Sequence, residues 1–195
     1  MRDTIALLGA VTLLAAGAAS AQGRAIQLPD TLGANFSIAD SATKAGTAAD
    51  YDALLGFWHF RFQNRRANGA FDAPFPGHWS FEKKPGGMLI EDRWRYDDPS
   101  RAMGEGTYTY RIFDPERKIW RILGTRSEGG EFSPGLTWSD AGNRYVIQRA
   151  GPAIMRIRYF AIGPDRFLWR ADRSTDGGRT WLLDAWTMEA TRFAK

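Results

Sequence analysis

Few residues in this chain have a type and spacing that could carry chemistry. Its histidines are His59 and His78, far apart in sequence, and it has no cysteine. Two separated histidines without cysteine make no zinc pattern, so no metal is expected. No Gly-x-Ser-x-Gly elbow, phosphate loop or dinucleotide fingerprint occurs, so no catalytic nucleophile and no cofactor is assigned. Glu91 and Asp92 are adjacent; on a strand they would point to opposite faces and could not act as an acid–base pair. What remains is Asp92 itself, set between Ile90 and Trp94 in an alternating run, and two arginines, Arg156 and Arg158. An enzyme on this chain would have to rely on an Asp or Tyr in a dry pocket.

The elements that would position these groups are strands. After Gly56, turn signals recur at regular intervals: Asn68-Gly69, Pro85-Gly86-Gly87, Asp97-Asp98-Pro99, Asp114-Pro115, Gly129-Gly130, Asp140-Ala141-Gly142, Gly151-Pro152, Gly163-Pro164-Asp165 and Asp176-Gly177-Gly178. They separate about ten strand-length runs with no helical stretch between them, which predicts an all-β, antiparallel, up-and-down arrangement. Closure into a barrel avoids two exposed edges. The short tail after Trp186 leaves no room for the long C-terminal helix of a helix-grip fold. Asp50 is placed to cap a helical turn that ends at Gly56.

If Trp58 points inward, alternation sends Phe60, Phe62 and Asn64 with it and turns His59, Arg61, Gln63 and Arg65 to solvent. The same logic places Trp79, Phe81, Ile90, Asp92, Trp94, Tyr108, Tyr110, Ile112, Trp120 and Ile122 on the inner face. Ile154-Arg156-Arg158-Phe160 and Met155-Ile157-Tyr159-Ala161 are the two faces of one strand. With the second face inward, both arginines lie outside. With the first inward, Arg156 or Arg158 would meet Asp92 or a ligand carboxylate, because a buried charge must be paired and Arg suits bidentate recognition.

The flanks bear on where the protein works. Arg2, an apolar run from Ile5 to Ala16 and Ala19-Ser20-Ala21 have the form of a cleavable signal peptide over residues 1–21. The run is too short to span a bilayer comfortably, so no stable membrane insertion is expected and a periplasmic or secreted location is. Residues 22–49, rich in Ala, Ser, Thr and Gly, read as a flexible or extended leader, and residues 50–195 as the barrel. The formal charge is +4 and the isoelectric point near 9.6. That excess is scattered, with Arg65-Arg66 and Lys83-Lys84 its tightest knots, and makes no phosphate-tracking stripe, so no nucleic-acid partner is expected.

Ser174, Asp176, Gly178, Thr180 and Trp181 match the S-x-D-x-G-x-T-W pattern of the Asp-box. The box is familiar from sialidases, where it repeats blade by blade away from the catalytic centre. Here it occurs once and reads as structural: the Asp side chain accepts turn amides, glycines supply positive φ, and the Trp covers the turn. Gly56-x-Trp58, opening the first strand after a helical turn, resembles the start of a lipocalin or calycin β-barrel. So do Gly104-x-Gly106 leading to Tyr110-Arg111-Ile112-Phe113-Asp114-Pro115, then Trp120 and Phe167-x-Trp169. These stretches are similar to a poorly characterised branch of exported bacterial lipocalin-like domains. The resemblance implies a ligand-holding barrel whose Trp58 lies at the closed end, packed by an Arg from the end of the domain, here Arg192. It supplies no catalytic residues. The expected function is to hold a small apolar or amphipathic molecule in the interior. An isomerase- or cyclase-type enzyme in the same cavity, and a filled barrel with a structural role in the envelope, are the alternatives.

Overall fold

Burial along the first strand alternates residue by residue: Trp58, Phe60 and Phe62 are buried, while Phe57, His59 and Arg61 are exposed. A strand whose one face is large and aromatic can hide that face only by curving round a core, and ten such strands do so together. The computed structural model of the chain describes residues 44–98, 100, 106–126, 132–150 and 152–193. Its strands are β1 (Gly56–Asn64), β2 (Phe75–Lys83), β3 (Leu89–Tyr96), β4 (Thr107–Asp114), β5 (Ile119–Arg126), β6 (Ser133–Asp140), β7 (Asn143–Ala150), β8 (Ala153–Phe160), β9 (Arg166–Ser174) and β10 (Leu182–Arg192). Each pairs antiparallel with the next, and β10 pairs with β1 to close the barrel. Each of the nine turn clusters of the sequence lies at the end of a strand or between it and the next. The expected signal peptide, and the leader up to residue 43, lie outside the described residues.

One end of the barrel is sealed. A single 3₁₀ turn, Asp52–Leu54, precedes β1 and buries Tyr51 and Leu54 completely. The Trp58 indole donates to Leu54 O at 2.8 Å, and the Arg192 guanidinium lies over the Trp58 ring at 4.1 Å. Arg192 also donates to Leu55 O at 2.7 Å and Ala53 O at 3.0 Å, so it ties the end of β10 to the plug. Gly56 has φ +113°, and a Cβ there would come within 2.9 Å of Arg192 Nη1. Only glycine permits both the turn and the approach. Residues 44–49 lie over this end too: Gly46 N donates to Lys118 O at 2.7 Å and the Trp120 indole to Thr47 O at 2.9 Å. Asp50 does not cap the 3₁₀ turn as expected. Its carboxylate accepts instead from the Thr47 hydroxyl at 2.8 Å, holding this incoming segment.

Inside, aromatic rings touch mostly edge to face or tilted, the arrangement their quadrupoles favour. Phe60 meets Trp94 and Tyr96, Phe62 meets Phe75, Trp94 and Trp169, and Trp79 meets Phe81, Tyr159 and Phe167. Gly77, opposite Phe60 in the β1–β2 register, leaves room for that ring; a Cβ there would stand 2.2 Å from it.

The Asp-box hairpin joins β9 to β10. Asp176 accepts from Thr180 N at 3.0 Å, the Thr180 hydroxyl at 2.7 Å, the Ser174 hydroxyl at 2.8 Å and Arg179 N at 3.0 Å. The Trp181 indole donates to Gly178 O at 2.9 Å. A bulge between Leu182 and Trp186 then resets the phase of β10, and Leu183 is exposed. The bonds from Thr180, the backbone one foremost, hold the Asp176 carboxyl well below the usual carboxylate range. A depressed folded-state pKa contributes stability above the unfolded value of about 3.9, lost as pH falls through the folded one. Asp176→Ala should therefore melt below the wild type at neutral pH, and the gap should close as the pH drops below about 4. Thermal unfolding across pH 7 to 2 checks this; a gap that stays constant in acid contradicts it.

Candidate functional site

The polar centre of the barrel is an ion pair with no access to solvent. Asp92 on β3 and Arg111 on β4 both point inward, with Arg111 Nη2 2.9 Å from Asp92 Oδ2 and both side chains at most 1% exposed. The other carboxylate oxygen accepts the Trp79 indole N–H at 2.8 Å. Arg111 Nη2 also donates to the Tyr159 hydroxyl at 2.9 Å, reaching across the interior from β4 to β8. Three rings surround the guanidinium: Tyr51 at 4.9 Å, Tyr159 at 5.6 Å and Phe81 at 5.7 Å. The Tyr51 hydroxyl is hydrogen-bonded to Thr137 on β6. One cation thus links the plug, β2, β3 and β8.

Burial is the main influence on Asp92 and pushes its carboxyl above the ordinary range; Arg111, Trp79 and Thr109 oppose it. Burial is the largest single influence on Arg111 and works against its charge, but Asp92, Tyr159 and Tyr51 together outweigh it and hold the guanidinium above its usual value. Arg111 Nε and Nη1 are buried without a hydrogen-bond partner. Their surroundings are the aromatic faces, which stabilise the cation through its quadrupole contacts rather than by accepting hydrogen bonds. Asp92, hydrogen-bonded to the Trp79 indole and ion-paired with Arg111, is not a free general base.

The structure brings some expected site residues together and moves others. Phe60, Phe62, Asp92 and Trp94 share the inner face, and so does Trp120, which packs edge-on against Tyr51 at 5.1 Å at the sealed end. Tyr108 and Tyr110, with Ile112, are on the outer face, contrary to expectation: β4 buries Thr109, Arg111 and Phe113. Tyr108 lies under the exposed Arg93 at 4.9 Å. The cause is the charge on Asp92, which needs a cation beside it; Arg111 supplies it only in this phase. Arg156 and Arg158 are also on the outer wall, since β8 turns Met155, Ile157 and Tyr159 inward. Arg156 is nevertheless buried, paired with Asp172 and covered by the Trp181 ring at 4.7 Å. Trp181 there joins Trp138, Tyr145, Ile147 and Ile154 in a second, external apolar cluster. Arg158 lies over Phe160 at 4.9 Å.

The sealed end contrasts with the other. Trp94 near the end of β3, Met155 near the start of β8 and Trp186 near the start of β10 face inward at the end away from the plug, and they are only partly buried against the core. Two surface clefts lie elsewhere. One of about 220 Å³ runs along the outer wall by Arg61, Leu168 and Arg170, and one of about 540 Å³ lies by the plug at Pro164 and Arg192. Among the described residues no three His, Cys, Asp or Glu side chains are grouped to hold a metal. The two histidines, however, are not distant: β1 and β2 place His59 directly opposite His78.

No protein-family model matches the sequence, and a comparison with curated proteins finds no match. Solved structures do resemble it. The S-type phycobiliprotein lyase CPES from Guillardia theta superposes with a TM-score of 0.56 at 11% identity, covering 74% of this chain and 91% of that one. Rv2717c from M. tuberculosis superposes with a TM-score of 0.50 at 13% identity, covering 76% and 99%. What these structures share with the chain is its fold, here a closed antiparallel barrel of ten strands. At such identities the likeness extends to the path of the chain and not to its chemistry, so the roles of Asp92 and Arg111 rest on their own geometry.

That geometry makes a quantitative expectation. Removing one member of a buried ion pair leaves the other charge unpaired and costs about 3–5 kcal/mol, whereas removing both can be nearly neutral. Arg111→Met should lose that much. Asp92→Asn combined with Arg111→Met, which keeps an acceptor for the Trp79 indole, should recover most of it. Urea unfolding of the four proteins of this cycle decides; additive losses would mean that the pair is not an energetic unit.

Proposed function

We propose that this chain is an exported, soluble binding module that admits a small, largely apolar ligand through the end of the barrel opposite the plug. The observation that carries the reading is the asymmetry of the inner face. It is sealed by Tyr51, Leu54, Trp58 and Arg192 at one end. At the other it presents Trp94, Met155 and Trp186 partly uncovered. Aromatic and thioether side chains at a barrel mouth suit an apolar guest. The deeper Arg111 favours a guest with a carboxylate or hydroxyl end directed inward.

Export is supported by the signal-peptide pattern at residues 1–21. A soluble rather than membrane-embedded state is supported by the polarity of the wall. Arg61, Glu82, Arg93, Arg95, Arg121 and Arg166 are exposed on the outside while the aromatics are inside, the reverse of a membrane-spanning barrel. A barrel of similar architecture is a phycobiliprotein lyase.

The test uses two naphthalene fluorophores, one neutral (N-phenyl-1-naphthylamine) and one carrying a sulfonate (anilinonaphthalene sulfonate). The neutral probe should bind in the micromolar range, roughly −8 kcal/mol, and alter tryptophan emission. Met155→Asp, which sets a charge on the inner face at the open end, should weaken it at least tenfold, while Ser80→Asp on the outer wall should not. Equal affinity of both variants, or no binding of either probe, would remove this reading.

A further inference from the structure

The geometry points to a divalent transition-metal site on the outer wall, built from His59 and His78 and suited to an imidazole-preferring ion such as Cu²⁺ or Zn²⁺. It is separate from the barrel interior and goes beyond the ligand-binding reading.

The two residues are direct cross-strand partners on β1 and β2. Their ring centres are 4.7 Å apart and the planes are tilted by 55°, not stacked. An ion held by one nitrogen of each ring at about 2.0–2.1 Å, with a near-tetrahedral or square angle between them, sets the ring centres roughly 4.5–5 Å apart. The observed ring spacing is compatible with such a bridge. Imidazole nitrogen suits Cu²⁺, Zn²⁺ and Ni²⁺, and Cu²⁺ should bind most tightly of the three.

The surroundings hold both rings. His78 Nδ1 lies 2.6 Å from Asp97 Oδ1, so that nitrogen faces the carboxylate and an ion would be taken by Nε2. A carboxylate behind a ligating imidazole fixes the ring and raises its basicity. Asp97 is itself fixed, because its backbone N–H donates to Pro76 O at 3.2 Å. Phe193 stacks on His59 at 4.1 Å with the planes 21° apart, and its own N–H donates to Phe57 O at 2.9 Å. One strand further round, Arg95 pairs with His78 and Thr191 with His59. Arg95 places a positive charge beside the site, which Asp97 offsets; binding must come from coordination rather than from a general field. Two protein nitrogens leave the remaining positions to water, an open site reachable from solvent because His59 is exposed and the His78 side chain 38% so.

The experiment titrates CuCl₂ alone into the purified protein, read by electron paramagnetic resonance, with ZnCl₂ read by the shift in melting temperature. The wild type should show one Cu²⁺ per chain with two coordinated imidazole nitrogens, and a Zn²⁺-dependent rise in melting temperature reversed by chelator. His59→Gln and His78→Gln should each weaken Cu²⁺ at least tenfold and abolish the zinc shift. Asp97→Asn should weaken binding less. Phe193→Ala disturbs the packing without removing a ligand, so it should keep the two-nitrogen signal. Copper binding that survives in the His59→Gln, His78→Gln double variant, or a wild-type spectrum with a single imidazole nitrogen, would overturn the proposal.

Discussion

The barrel depends on one buried interaction, the ion pair between Asp92 and Arg111. Taking two charges out of water is costly, and the cost is offset only where each charge finds close partners. Asp92 has the guanidinium and the Trp79 indole. Arg111 has the carboxylate, the Tyr159 hydroxyl and three aromatic faces. Satisfying both charges sets the phase of β3 against β4, brings β8 across to meet them and gives the plug residue Tyr51 a cation to pack on. A purely apolar core of similar volume could tolerate a slip of register. A core with one charge on each of two strands cannot, because a one-residue slip would turn one partner to solvent and leave the other alone.

Much of this was legible in the sequence. The turn clusters mark where each strand ends, and the aromatic alternation of β1 assigns its inner face without ambiguity. The inward position of Asp92 follows from Ile90 and Trp94 on either side. The phase of β4 was not legible from hydrophobicity, because Tyr108, Tyr110 and Ile112 look more like a core face than Thr109, Arg111 and Phe113. A signal was nevertheless present: an inward Asp92 demands a nearby cation, and Arg111 lies on the very next strand. For β8 the apolar face was the better guide, and it leaves Arg156 to be buried by a different route, under the Trp181 of the Asp-box hairpin. The meeting of His59 and His78 depended on register. The loop from residue 65 to 74 is too long for turn type to set it, so sequence separation alone made the two look unrelated.

The two ends of the barrel differ in what they contribute. At the plug, Gly56, Trp58 and Arg192 lock the last strand to the turn before the first, and residues 44–49 add a further layer of backbone and side-chain bonds. At the other end Trp94, Met155 and Trp186 are only partly buried, and these are aromatic or thioether rather than charged. In the proposed reading, stability and reception are separated along the barrel axis, with the ion pair between them. A guest entering from the end away from the plug would meet apolar rings first and the polar centre last.

The most direct test of this arrangement is native mass spectrometry of the protein purified gently from the cells that make it. A barrel that holds a ligand should appear as the chain plus one small molecule in one-to-one ratio. Extraction of that molecule with organic solvent should yield an apolar or amphipathic compound that rebinds to the stripped protein. A chain that is recovered bare under the mildest conditions, and that takes up no lipid-like or aromatic compound when these are supplied, would contradict the account and mark the barrel as a filled structural unit.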